Sequence, residues 1–529
     1  MSGLKGYWIP VLHSHLPFVK HPEYDYFLEE HWLFEAITEC YIPLLMRLKR
    51  LEDEGRYFRL TTSITPPLAE MLDDASLMGK YRAHLDKLLE LNYKEIQRLQ
   101  DDRGYLEVAY FYKQRLEEIR EFFDGFLSQN VLNGYRYFLE KGLVEVITCG
   151  ATHGFLPLLS VNRKSVEVQI QVAVKSHNKH FGRDPDGIWL PECAYYDGLD
   201  EILSANGIKF FFMDSHGVVY GTPTPKYGVF APIYTQTGIA AFARDPESSR
   251  QVWSSIAGYP GDPDYRDFYK DIGFELDYDY IKPYIDPNGV RVFTGMKYGR
   301  ITGDTDHKEP YVARNAAYKA SEHAKNFHHN RVKQVEHLGQ YMEDRVPAIV
   351  SPYDAELFGH WWFEGPDFLY GVLKEMDEHK IIKAITPLEY LEIHSKNQMI
   401  TPTPSSWGDK GYYDVWLNSG NDWIYRHLHF MADKLHELAC RYKEESDYDT
   451  QRLLNQLLRE LLLAQSSDWA FLMTTNTALE YSVSRTKEHI SNFNKLLDML
   501  EDGEWDMEFL ARCEHKNSIF DFVSFREFC

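Results

Sequence analysis

One pattern recurs along the chain and limits the folds open to it. A short apolar run is followed by a polar loop carrying His, Asp or Glu, and then by a helical segment. It is read in "YWIPVLHSHLPF" (7–18) with a helix over 31–54, and in "YFRLTTSITPPLAEML" (57–72). It returns in "LVEVITCGATHGFLPLL" (143–159) and twice within "KHFGRDPDGIWLPECAYYDGLDEILSANGIKFFFMD" (179–214). "RVPAIVSPYDAELFGH" (345–360) and "IIKAITPLEYLEIH" (381–394) complete the series. Strands alternating with helices predict an α/β fold with a parallel sheet. Chemistry-bearing residues gathered where strands end are expected on the C-terminal face of a barrel.

At 529 residues the chain is too long for one simple core. Residues 1–400 read as the barrel domain and 401–529, helical in period from about 415, as a second domain that contributes to the active-site cleft. Residues 76–142 read as a helical insertion. Residues 215–310, rich in Gly, Pro, Tyr and Asp, read as a loop-rich region over the site, since long irregular segments in compact domains are often functional.

Charge narrows the partners. Against 57 Lys and Arg stand 80 Asp and Glu, a net −23, which argues against nucleic acid and anionic membranes. No apolar run approaches the roughly 20 residues of a membrane span, and the N-terminal stretch reads as a first strand, not a signal peptide. Six scattered cysteines without a CxxC pair read as free thiols in a reducing cytoplasm. Aromatic residues make up 15% of the chain, and broad rings suit either a large core or the apolar faces of sugars. Composition leaves the oligomeric state open.

Four strand ends carry candidate chemistry. His13 and His15, two apart, point to one face of a strand, and they serve equally as hydrogen-bonding groups or as the start of a metal site. His153 follows in "GATHGFLP". Glu192, in "WLPECAY", sits at a strand tip within a bulky apolar frame that suits a nucleophile held in one rotamer. Asp354 ends the apolar run "VPAIVSPY", with Glu356 two residues on and Trp361 and Trp362 nearby. One ionised and one protonated carboxylate are the minimum for cleaving a glycosidic bond. Rings around an acid disfavour its ionised form, as proton donation requires.

Taken together, "HSHLPF", "GATHGFLPLL", "WLPECAY", "SPYDAELFGHWWFEGP" and "SSDWAF" (466–471) occur in one order along nearly the whole chain, which resembles glycoside hydrolase family 57. The resemblance implies an incomplete (β/α)7 barrel with a helical insertion and a C-terminal helical domain. It makes Glu192 the nucleophile and Asp354 the acid/base. Within the family the chain is most similar to the 1,4-α-glucan branching enzymes, through "ARDPESSRQVWSS" (243–255), "GYPGDPDYRDFY", Trp407 and Asp468-Trp469. It departs from them at Phe274, where a Trp is usual after "DIG".

The resulting expectation is a retaining transglycosylase that uses α-1,4-glucan as donor and acceptor and needs no cofactor or metal. His13, His15 and His153 would bind the donor ring, and Trp407, Asp468, Arg266 and Trp361 or Trp362 would shape subsites. Residues 230–253 are expected to form a lid, with Tyr234 at its tip. An amylase or 4-α-glucanotransferase with the same carboxylates is the alternative. A metal-dependent deacetylase built on His13 and His15, and a non-catalytic glucan-binding protein, are the remaining readings.

Overall fold

The computed structural model describes residues 3–254 and 256–529. Among the described residues the nine strands are β1 (Gly6–Ser14), β2 (Leu60–Ile64), β3 (Val144–Ile147), β4 (Gly187–Trp189), β5 (Phe210–Met213), β6 (Ile233–Tyr234), β7 (Ala240–Ala243), β8 (Ala348–Asp354) and β9 (Ile382–Ala384). β3, β2, β1 and β8 pair in parallel, and β9 pairs with the start of β1. β4, β5 and β7 form a second parallel run, edged by the antiparallel β6. Thr148 joins the two runs, accepting from Trp189 N at 2.9 Å. On the far side, Asp245 N donates to Val350 O at 2.9 Å where β7 meets β8. β1, β2, β3, β4, β5, β7 and β8 thus surround one axis as the expected incomplete seven-stranded barrel, a count the sequence pattern left open.

The barrel interior follows the two-residue period of its strands. Tyr7, Ile9 and Val11 of β1, Phe210 and Phe212 of β5, Ala240 and Phe242 of β7, and Ala348 and Val350 of β8 share one buried cluster. The same register continues past the apolar layer to His13 and Asp354, which are paired Cα to Cα across β1 and β8. The sequence therefore fills the lower barrel with rings and aliphatics and places its polar groups at the strand ends.

Three helices, Ala75–Arg98, Arg103–Asp124 and Leu132–Glu140, form the insertion between β2 and β3. The expected helix over 31–54 runs from Glu30 to Asp53 through a π-turn at Ile37–Tyr41. Pro43, which has no N–H to donate, sits just beyond that turn. Residues 215–310 are less loop-like than their composition implies. They contain β6, β7 and a helix, Pro246–Trp253, so one barrel strand hides within a Gly- and Pro-rich stretch. After β9 the chain runs back along the barrel, with bridges Tyr195 to Ser405 and Thr222 to Thr401. It then enters the helical domain, whose helices are Trp423–Arg441, Tyr448–Ala464, Ser467–Thr475, Leu479–Asp502 and Met507–Lys516. Among the described residues, no helix is long and apolar enough to cross a membrane.

Candidate active site

The strand ends and the helical domain enclose a cavity of about 740 Å³ lined by His13, His15, His153, Glu192, Asp354, Trp361, Trp407 and Asp468. Eight of the sequence-selected residues thus meet in one place, although they come from β1, the loops after β3, β4 and β8, the return segment and the second domain.

Glu192 follows β4 in a short helical turn with φ +61°, and Cys193 after it has φ +51°. His153 has φ +57°. Non-glycine residues in the left-handed region cost of order 1 kcal/mol or more each and persist where the surroundings hold them. Here Cys193 N donates to Leu190 O at 2.8 Å and Trp407 N donates to Glu192 O at 3.0 Å. Likewise His153 O accepts from Ser467 N at 3.1 Å. The strain turns the Glu192 side chain into the cavity.

The two acids have contrasting surroundings. Glu192 Oε2 accepts from Trp407 Nε1 at 2.8 Å, and its Oε1 accepts from Ser467 Oγ at 3.3 Å. Burial pushes its pKa up to about 7, against the lowering effect of the Trp407 bond. Asp354 has no hydrogen-bond donor on its carboxylate among the described residues. Burial first, then the Glu356 and Glu192 carboxylates, hold its pKa well above the usual range. The anion is therefore better accommodated on Glu192 and the proton on Asp354.

A chain of imidazoles lines the wall. His13 stacks on Trp189 at 4.6 Å and 7°, and His15 stacks on His153 at 3.8 Å and 14°. His15 Nε2 lies 3.0 Å from both Asp468 oxygens. Burial opposes charge on both partners, yet their pairing raises the His15 pKa and brings Asp468 down to about 2, so this is an ion pair. His13 and His153 are driven well below the ordinary imidazole value, first by burial, and are neutral. Glu356 accepts from the Tyr41 hydroxyl at 2.5 Å and from His15 N at 3.1 Å, which fixes the loop after β8 against β1.

Two overlapping groups, His13–Cys149–His153 and His15–His153–Asp468, have ligand atoms close enough for a cation. Their imidazole nitrogens are already engaged. His13 Nδ1 meets Ser63 Oγ and its Nε2 meets His153 Nε2, while His15 Nδ1 meets Thr65 Oγ1. His153 Nδ1 meets Ser467 Oγ at 2.8 Å. A metal there would have to break this network, so the donor set fits a sugar-binding wall better than a metal centre.

Three expected site residues lie elsewhere. Tyr234 is on the edge strand β6, in register with Ala240 and so with the N-terminal end of the barrel, opposite the carboxylates. Its hydroxyl donates to Ser395 O at 3.2 Å, and its backbone is bonded to Gln398 and Ile400. The expected lid is thus a hairpin and a helix, and its sheet bonding keeps Tyr234 from the site. Arg266 is buried, donates to Glu39 Oε1 at 3.0 Å and packs over Phe363 at 4.0 Å; its charge is spent on the π-turn of the first helix. Trp362 is buried beside Tyr265 and Phe368, whereas its neighbour Trp361 is 57% exposed over the cavity.

The cavity also contains residues the sequence reading did not single out. Arg244 is the next inward position after Ala240 and Phe242 of β7, so the two-residue period points to it once that strand is recognised. It pairs with Asp214 and, by its charge, opposes the rise in the Asp354 pKa. Trp253 and Phe471, which lie within the quoted "ARDPESSRQVWSS" and "SSDWAF", add aromatic faces, and the buried Trp416 backs the wall.

Residues 9–404 match the sequence model of Glycosyl hydrolase family 57, and residues 427–528 match that of the 1,4-alpha-glucan branching enzyme C-terminal domain. The chain is 33% identical to the 1,4-alpha-glucan branching enzyme of Thermococcus kodakarensis, over 98% of this chain and 78% of that protein. Among solved structures it is similar to the GH57-type branching enzyme of Pyrococcus horikoshii, at 34% identity and TM-score 0.88, over 99% of this chain and 97% of that one. It is also similar to the alpha-amylase AmyC of Thermotoga maritima, at 48% identity and TM-score 0.93, over 100% and 99%.

Proposed function

The chain belongs to glycosyl hydrolase family 57, and within it we propose a retaining 1,4-α-glucan branching enzyme with Glu192 as nucleophile and Asp354 as acid/base. The carrying observation is that the C-terminal region, which matches the branching-enzyme domain, supplies part of the catalytic centre. From it Ser467 donates to Glu192 and Asp468 pairs with His15.

In this reading the Glu192 carboxylate attacks the anomeric carbon of an α-1,4-linked glucose. Protonated Asp354 gives its proton to the departing 4-oxygen, so the C1–O bond breaks as the glycosyl ester forms. The shortened chain leaves. The Asp354 carboxylate then takes the proton from the 6-hydroxyl of an acceptor chain. That oxygen attacks C1, releases Glu192 and creates an α-1,6 branch with the original anomeric configuration. His13, His15, His153 and Asp468 wall the donor-ring subsite, where a sugar hydroxyl would exchange for or share one of their mutual hydrogen bonds, and Trp361, Trp407 and Trp253 offer faces to neighbouring glucose units. We further propose a cytoplasmic role in glycogen-type synthesis, supported by four buried free cysteines, Cys40, Cys149, Cys193 and Cys513, while the net charge of −23 argues against nucleic acid and anionic membranes as partners.

Hydrolysis is the second reading, raised by the likeness to the Thermotoga maritima amylase. Water and a 6-hydroxyl differ only as acceptors for the same ester. Incubation with linear amylose, followed by proton NMR of anomeric signals, separates them. New α-1,6 linkages in excess of new reducing ends support branching; reducing ends without α-1,6 linkages select the hydrolase.

A further inference from the structure

We infer that His328, Glu375 and His379 form a zinc-type cation site that joins the helix Ala313–Leu338 to the helix Gly365–His379. None of the three lines the catalytic cavity. Glu375 and His379 are four residues apart on one helix and so share a face. His328 meets them from the neighbouring helix, with its ring centroid 4.9 Å from that of His379 and the planes inclined at 33°. One ligand atom from each of the three lies within 4.8 Å of the others. Ligands of a tetrahedral zinc, at about 2.0–2.1 Å from the metal, sit roughly 3.4 Å apart. A small rotation of the half-exposed His379 closes that difference.

The individual groups are prepared for a cation. His379 Nδ1 lies 2.9 Å from the Glu375 carbonyl oxygen and donates to it, which leaves the lone pair on Nε2. A second ring nitrogen anchored to a carbonyl is the usual support of a metal-binding imidazole. His328 is only 6% exposed, and its buried Nε2 has no hydrogen-bond partner. An orphaned buried polar atom is destabilising, and coordination would satisfy it. The Glu375 carboxylate has His379, at 3.5 Å, as its ion-pair partner among the described residues, and Lys325 is turned to Glu322 instead.

Two imidazoles and one carboxylate, with an open side for water, are a zinc donor set; Mg2+ and Ca2+ prefer oxygen ligands throughout. The site tethers two outer helices and stabilises the folded chain by mass action.

The test uses metal-free full-length protein, the Glu375→Gln and His379→Ala variants, and zinc chloride as the ligand. Zinc affinity is measured by competition with a chromophoric chelator, and thermal unfolding is followed with and without zinc. The wild-type chain is expected to bind zinc and to unfold at a higher temperature in its presence. Both variants should bind this equivalent at least tenfold more weakly and lose the thermal shift, while their initial rates on amylose at moderate temperature stay at the wild-type value. Glu375→Gln is isosteric, so it keeps the test valid if His379→Ala folds poorly. No zinc uptake by the wild-type chain, or a loss of less than tenfold with the thermal shift retained, overturns the site.

Discussion

Trp407 holds Glu192 twice. Its indole Nε1 donates to the carboxylate Oε2 at 2.8 Å, and its backbone N donates to the Glu192 carbonyl at 3.0 Å. The side-chain bond stabilises the ionised nucleophile in a buried place. Trp407→Phe keeps the ring and the backbone bond but removes the donor. A hydrogen bond to a charged group contributes about 1.5–3 kcal/mol, so kcat/KM should fall roughly 10- to 100-fold. The acid limb of the rate profile should also move to higher pH. A fall in rate with an unmoved limb would mean that Trp407 acts only as a platform for sugar.

The pH dependence of the wild-type enzyme follows from the same pair. Glu192 must be ionised to attack, and burial has pushed its pKa up to about 7. As pH falls below about 7, kcat/KM should drop close to tenfold per unit. Asp354 must be protonated, and its raised pKa sets the alkaline limb. Glu192→Gln should abolish turnover at every pH, and azide should restore release of a β-configured glycosyl azide only if the carboxylate is the nucleophile in the wild-type reaction.

Asp354→Asn should slow transfer from natural glucan by about 10²–10⁴-fold, and less for donors with activated leaving groups. It should also raise thermal stability. A carboxyl whose folded pKa exceeds its unfolded value binds its proton more tightly in the folded state. Stability therefore falls as pH rises from the unfolded pKa through the folded one. Removing the ionisable group lifts that loss, so the gain in Tm should be small near pH 4 and larger at pH 7. A gain that does not grow with pH would show that Asp354 is not held protonated by its surroundings.

Chelation should leave the initial rate on amylose unchanged, because each ring nitrogen of His13, His15 and His153 already has a protein partner. Loss of the rate in chelator, with recovery on zinc, in the His379→Ala chain as well as in the wild type would assign those histidines to a metal centre instead.

The chain displayed its barrel openly because the strands are apolar and the loops after them are polar. His13 and Asp354 could be placed at strand ends from period alone. Arg244 could have been found the same way, but β7 is four residues, "AAFA", inside a stretch whose glycines and prolines read as loop. Tyr234 lies on a two-residue edge strand, which for the related reason leaves no periodic trace. Arg266 and Trp362 carry the residue types of a glucan subsite, yet each serves the packing. The partner that fixes Arg266, Glu39, lies 227 positions away and leaves no local sign. The Ser467 bond to Glu192 spans 275 positions. Such pairings arise from how the second domain folds over the barrel, which a single sequence does not specify by local pattern.

The most direct test of the account is to trap the covalent intermediate. Asp354→Asn, given α-maltosyl fluoride, should form the glycosyl ester readily, since fluoride leaves without protonation, and should break it down slowly without a base. Rapid acid quench and peptide mass spectrometry should then find one maltosyl unit on the peptide containing Glu192, and none when Glu192→Gln is added. Maltosyl on a different residue, or fluoride release with an unlabelled Glu192 peptide throughout the time course, would contradict Glu192 as the nucleophile.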